Sequence, residues 1–270
     1  MKTYMLLVVV VFVLLISCKP AVQQAAVPTP EPEPASDTVA CSFTMGIDAW
    51  EPYQYMTVGN AVAGLDVELV QNIVTDMGCK LDVVQGSWLE LLTLLREGKV
   101  DFVLGASKTE ERESFAYFSA PYRQERFQLY VRKDQVNLPY TDLKAFVSAG
   151  HKVGVVNEYY YGGEVSDLYA DDSLRNKFVG AIISELNMAR LLDEEIDGLL
   201  EDSFVGASIL RRKGLDKYIQ PHSISLGASD VYVMFSQQSV SAEQVEQFNA
   251  GLAQLRDSGR YNQIVDKYRN

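Results

Sequence analysis

GLDVELVQNIVTDMGCKLDVVQGSWLELLTLLREGKVDFVLG, residues 64–105, alternates between two periods. Val67, Val70, Val74 and Met77 recur at helical spacing behind Asp66, a good N-cap, and Gly78 ends the run. Leu81–Val84 is a short apolar strand. Leu89–Glu97 is a second helix, stopped by Gly98, and Val100–Gly105 reads as a fully buried strand of the parallel type. With the strand-like Phe43–Ile47 upstream, the order is strand, helix, strand, helix, strand, which is an α/β unit on a parallel sheet.

Downstream, a short helix near Glu110–Ala116 and the turn Ser119-Ala120-Pro121-Tyr122 lead to a strand at Phe127–Arg132. A second α/β pattern then begins, with strands at Lys152–Val156, Phe178–Ile183 and Gly198–Leu200 and helices at Gly162–Tyr169, Met188–Glu195 and Phe204–Lys213. Val231–Phe235 is a strand, and two amphipathic helices close the chain at Ala242–Ser258 and Tyr261–Lys267. Two α/β units within 270 residues predict two lobes.

Composition narrows the function classes. A balance of 24 basic against 36 acidic residues leaves −12, which disfavours broad binding to nucleic-acid phosphates. Two histidines and three cysteines, without His-x-x-x-His or Cys-x-x-Cys spacing, give no expectation of a metal or a cofactor.

The N-terminus reads as an export signal. Lys2 supplies a positive start, and Met5–Ile16 is an apolar run too short for a comfortable membrane span. Leu15-Ile16-Ser17-Cys18 resembles a bacterial lipobox, which implies removal of residues 1–17 and lipidation of Cys18; an ordinary signal peptide is the alternative. Pro20, Pro28, Pro30, Pro32 and Pro34 make residues 18–40 an extended tether that cannot build a core. In an oxidising compartment Cys41 and Cys79 matter, because each precedes a strand. If those strands are parallel neighbours their starts stand side by side and a disulfide is allowed; two small buried thiols are the alternative.

Ligands of open α/β sheets sit at the carboxyl ends of strands. Asp48 to Tyr53 with Trp50 follow the first strand, Trp88 the second, and Ser107, Thr109 and Arg112 the third. Tyr159, Tyr160, Tyr161, Gly162 and Gly163 follow a strand of the second unit, and Glu201 and Asp202 follow Leu200. This set suits a small zwitterion. Arg112 can hold a carboxylate with its planar fork, Asp202 can accept from an ammonium, and Trp50 and Trp88 can flank an aliphatic or cationic side chain. Bland roles stand beside these: core packing for the tryptophans, a surface pairing of Arg112 with Glu110 or Asp101, and an edge or partner patch for the tyrosines. His151 and His222 read as surface residues.

Several motifs carry a family likeness. Gly64-Leu65-Asp66-Val67-Glu68-Leu69, Trp88, Gly98-Lys99-Val100-Asp101, Thr109-Glu110-Glu111-Arg112 and Phe118-Ser119-Ala120-Pro121-Tyr122 stand in an order that resembles the extracytoplasmic solute-binding proteins of family 3. Glu195 to Asp202 and Leu255 to Tyr261 continue the likeness over residues 41–270. The resemblance implies a two-lobed periplasmic-binding-protein fold of type II, a Venus-flytrap, with two crossing hinge segments near Tyr122–Phe127 and Asp230–Gln237. One lobe would hold 41–124 and 236–270, the other 125–235. It further implies that Arg112 and Ser107 meet a ligand α-carboxylate, that the Gly105 carbonyl faces its amine, that Asp202 binds the ammonium, and that Trp50 and Trp88 stack on the side chain. Asp66, as a helix cap, is assigned no ligand.

One departure stands out. Many members open the first helix of the second lobe with Gly-Thr, whereas this chain reads Val156-Asn157-Glu158-Tyr159-Tyr160-Tyr161-Gly162-Gly163, so tyrosines, Tyr160 among them, would line that wall. The implied protein is not an enzyme. It is a monomeric, lipid-anchored extracytoplasmic receptor that delivers an amino acid to an ABC permease. Two alternatives share the scaffold: a cyclohexadienyl dehydratase-like enzyme using Glu158, Glu164 or Glu201 as its acid, and a sensing module that signals in trans.

Overall fold

The computed structural model describes residues 41–268. The expected signal peptide 1–17, the lipidation site Cys18 and the tether 18–40 lie outside the described residues.

Among the described residues, eleven strands assemble into two sheets. Strand β1 (Cys41–Ile47) is followed by a small hairpin, β2 (Tyr55–Met56) and β3 (Val62–Ala63). Then come α1 (Leu65–Asp76), β4 (Cys79–Gln85), α2 (Trp88–Arg96), β5 (Phe102–Ala106), α3 (Glu110–Glu113), β6 (Ala116–Phe118) and β7 (Arg123–Glu125). The second part holds β8 (Phe127–Arg132), α4 (Leu143–Ser148), β9 (Val153–Val156), α5 (Gly163–Ala170), β10 (Phe178–Ala181), α6 (Ser184–Leu192), β11 (Gly198–Asp202), α7 (Ser203–Lys213) and β12 (Ile219–Ser225). The chain ends with β13 (Ser229–Ser236), α8 (Ala242–Asp257) and α9 (Arg260–Tyr268).

The first sheet runs β4-β1-β5-β13-β6, with β7 also paired to β13. Its β4, β1 and β5 are parallel, as periodicity predicts, so the loops after all three leave from one edge. The second sheet runs β10-β9-β11-β8-β12, with β10, β9 and β11 parallel and β8 and β12 antiparallel. Helices α8 and α9 return to pack on α1, where Val70, Ile73 and Val74 meet Phe248, Leu252 and Ile264 in one apolar cluster.

The chain passes between the sheets twice, at Arg126 and at residues 226–228. The return passage lies earlier than the expected boundary at 235. Strand β13 (Ser229–Ser236) belongs to the first sheet, antiparallel to β5, β6 and β7, because its apolar residues Val231, Val233 and Phe235 fill that sheet's core. Pairing of Arg123–Val231 and Glu125–Ser229 ties the two crossing segments together.

Two local readings change. Helix α1 begins at Leu65 behind Gly64, so Asp66 is not its cap: it lies in the first turn, fully buried, and binds Arg123. His222 is buried rather than on the surface; its Nε2 meets the Leu138 carbonyl and its Nδ1 accepts from the Ile224 N–H.

Cys41 and Cys79 stand opposite each other at the starts of β1 and β4, with Cα atoms 4.7 Å apart, and are joined in a disulfide. Closing a loop of 38 residues stabilises by up to about 4 kcal/mol through the unfolded chain's lost entropy. Reduction under native conditions should therefore lower the thermal midpoint by several degrees, measured against a Cys41→Ser/Cys79→Ser variant that reductant leaves unmoved. An unchanged midpoint on reduction of the parent chain would remove the bond from the stability account.

Candidate ligand-binding site

The parallel edge of the first sheet and the facing edge of the second meet around a narrow cavity with about 20 Å³ of free space, room for about one water. Local sequence aims each wall. Ser87 caps α2 in a reciprocal box with Glu90, which fixes Trp88 at the first helical position. Thr109 caps the short α3 by accepting from the Arg112 N–H, and the turn directs the Arg112 side chain inward. Gly105, next to last in β5, has φ +74°, and a Cβ there would stand 3.0 Å from the Trp50 ring, so glycine lets that ring lie against the strand end.

Of the residues singled out in the sequence, Trp50, Trp88, Gly105, Ser107, Arg112 and Tyr160 all line the cavity. Arg112 is buried and held from both sides of the cleft: Nη1 donates to the Ser107 carbonyl at 2.8 Å, and Nη2 donates to the Glu158 carbonyl across the cleft at 2.7 Å. Its partners are thus neither Glu110 nor Asp101. Its guanidinium lies 5.3 Å from the centre of the Trp88 ring. Burial lowers its pKa, opposed by nearby Glu125.

Asp202 is not brought to the cavity wall. Its Oδ1 accepts from the Phe204 and Val205 N–H groups as the N-cap of α7, and its Oδ2 accepts from the Arg126 N–H at the crossing. The acid was visible in the sequence, but three backbone donors claim it. Neighbouring Glu201 instead accepts from Trp50 Nε1 at 3.2 Å, across the cleft. The other two acids weighed as catalysts are exposed: Glu164 in the first turn of α5 and Glu158, whose carbonyl rather than carboxylate faces Arg112.

Sequence reasoning assigned no role to Asp48, Gln54 and Glu125, which line the cavity together with Tyr159, a residue expected there only as one of the tyrosine triplet. Asp48 carried a usable signal, a carboxylate directly after β1. Burial pushes it up to about 6, held back by the Ala49 N–H and the Tyr159 hydroxyl. Glu125 accepts from Ser107 Oγ at 2.9 Å, and burial pushes it to about 7 against the pull of Arg123. Glu201 is pushed to about 7 by burial, opposed by Ser184 and Trp50. The wall therefore joins one fixed cation to acids that release protons near neutrality.

Behind the cavity, Asp66 anchors the first crossing segment. It accepts from Arg123 Nε at 2.8 Å and Nη2 at 3.0 Å, and from the Tyr122 hydroxyl at 2.6 Å. The same Tyr122 oxygen accepts from the Gly105 N–H at 3.0 Å. Asp66 thus positions the cavity wall without touching the cavity.

A two-lobed α/β protein with a cleft of aromatic rings, one arginine and buried acids is of the solute-binding class. The chain belongs to the bacterial extracellular solute-binding proteins, family 3, whose sequence model matches residues 43–270. It is 28% identical over 224 residues to a probable histidine-binding protein of Neisseria gonorrhoeae, covering 80% of this chain and 78% of that one. It is 24% identical to the arginine-binding extracellular protein ArtP of Bacillus subtilis, covering 83% and 84%. A shorter likeness, 36% over 74 residues, or 27% of this chain and 28% of that one, is to the cyclohexadienyl dehydratase of Pseudomonas aeruginosa. Among solved structures, a histidine kinase sensor domain with similarity to periplasmic binding proteins superposes with a TM-score of 0.74 at 25% identity, covering 84% and 95%.

Proposed function

We propose that this chain captures a basic α-amino acid outside the cytoplasm by closing its two lobes and delivers it, as a monomer tethered through lipid on Cys18, to an ABC permease. One observation carries the reading: a single cavity offers Arg112 to a carboxylate, and Trp50 and Trp88 beside Asp48 to a flat cation. The full-length relatives named for histidine and arginine agree with it. The carbonyl of Gly105, which lines the cavity, offers an acceptor to the α-ammonium. Hinge closure brings the second sheet's edge over a ligand seated on the first.

Calorimetric titration of the folded body with L-arginine, L-histidine and L-glutamine tests this. Basic amino acids should bind at micromolar or tighter affinity and glutamine more weakly; no heat with any α-amino acid would overturn it. Turnover of prephenate or arogenate would instead favour the enzyme.

A pH dependence follows. Asp48 is neutral below about 6 because burial raises its pKa, and a cationic ligand favours the ionised form, so binding releases a proton. Affinity for L-arginine should rise about tenfold from pH 5 to pH 7. Glu125 titrates in the same window, and Tyr159, Glu185 and Glu90 also face Asp48, so Asp48→Asn is the control. A slope that survives Asp48→Asn would assign the proton elsewhere.

A further inference from the structure

Tyr159 and Glu158 stand where a ligand would. The Glu158 carbonyl accepts from Arg112 Nη2 at 2.7 Å and from Trp88 Nε1 at 3.1 Å, two donors on one oxygen, as a carboxylate oxygen would be held. The Tyr159 ring lies edge-on to both tryptophans, with centroids 6.1 Å from Trp50 and 6.0 Å from Trp88. Its hydroxyl donates to Asp48 Oδ2 at 3.2 Å. Backbone oxygen, aromatic ring and terminal donor occupy the anion end, the aromatic slot and the acid of one cavity.

The segment is built to leave. Glu158 holds φ +63°, a left-handed conformation that a residue with a Cβ adopts only at a cost. Tyr161, three residues on, is fixed and bounds the part that can swing out. It is buried, packs on Phe127 with centroids 4.6 Å apart, and its hydroxyl accepts from the Val156 N–H at 2.8 Å. The tyrosine triplet thus divides: Tyr161 anchors, Tyr160 lines the wall and Tyr159 fills the slot.

We infer that the Glu158–Tyr159 segment is an internal competitor for the amino-acid site, latching the lobes closed over an empty cavity until a ligand displaces it. This rests on the reading of the cavity as an amino-acid site. The apparent affinity is then the intrinsic one reduced by the fraction of molecules whose segment is out.

Two readouts on the mature chain test it: calorimetry with L-arginine, and the radius of gyration of the ligand-free protein by X-ray scattering. Tyr159→Ala should bind L-arginine about tenfold more tightly, and Tyr159→Phe about twofold to threefold, since the latter loses only the Asp48 hydrogen bond. Glu158→Gly, which removes the backbone cost of the latched form, should weaken binding by about threefold to fivefold. Ligand-free wild type should be as compact as its arginine complex, and ligand-free Tyr159→Ala should be more open. Unchanged or weaker binding by Tyr159→Ala, with an unchanged radius, would overturn the competitor. If neither protein binds any amino acid, the proposed ligand class fails, and the ligand-free radii alone decide the latch. If Tyr159→Ala does not fold, Tyr159→Phe and Glu158→Gly must move affinity in opposite directions or the inference falls.

Discussion

Arg112→Ala should reduce the affinity for L-arginine by at least a hundredfold while the protein stays folded. The Arg112 guanidinium is buried and already oriented by the Ser107 carbonyl at 2.8 Å, so it meets a ligand carboxylate with little ordering left to do. Two charge-assisted hydrogen bonds at about 1.5–3 kcal/mol each set the loss at about 3–6 kcal/mol, or a hundredfold to ten-thousandfold. The lower figure is the firm one, because the variant also frees the Glu158 carbonyl and loosens the segment that competes with the ligand. Arg112→Lys should recover little, since a single ammonium cannot hold the Ser107 carbonyl and a carboxylate in one plane. Calorimetry beside thermal unfolding checks both halves. A folded Arg112→Ala that binds within tenfold of wild type would remove Arg112 from the site.

The largest effect on stability should come from Asp66→Ala. Its carboxylate is fully buried and Arg123 nearly so, and the pair is bonded at 2.8 and 3.0 Å. Removing the acid strands a buried guanidinium, which costs about 3–5 kcal/mol. For a body of this size that lowers the thermal midpoint by about 10 °C. The loss reaches the binding cavity as well, because Tyr122 loses its acceptor while still receiving the Gly105 N–H. Asp66→Ala/Arg123→Met should be less destabilised than Asp66→Ala alone, since the double variant leaves no unpaired charge. Urea unfolding gives both values. A loss under 1 kcal/mol for Asp66→Ala would mean that the pair contributes little beyond packing.

The contrast between these residues shows what is legible in a chain. Arg112 was readable because Thr109 caps a turn three residues before it, after a buried strand, and such spacing survives folding unchanged. Asp66 was misread as a cap because a carboxylate before an apolar helical run has that local use. Its actual partner is 57 residues away, and no local pattern announces it. Asp202 shows the reverse: read as a long-range ligand, it serves as a local cap.

Periodicity along the chain determined the α/β class, the parallel character of the first unit's strands and the strand ends that carry Trp50, Trp88 and Arg112. These depend on side-chain spacing within an element, which is a property of the sequence itself. Only the tertiary structure decided that β13 joins the first sheet, that Asp66 holds Arg123, and that Tyr159 lies between the two tryptophans. Each depends on which surfaces meet once apolar area is buried and polar groups find partners. That outcome is a sum over contacts distant in sequence, and no window of residues contains it.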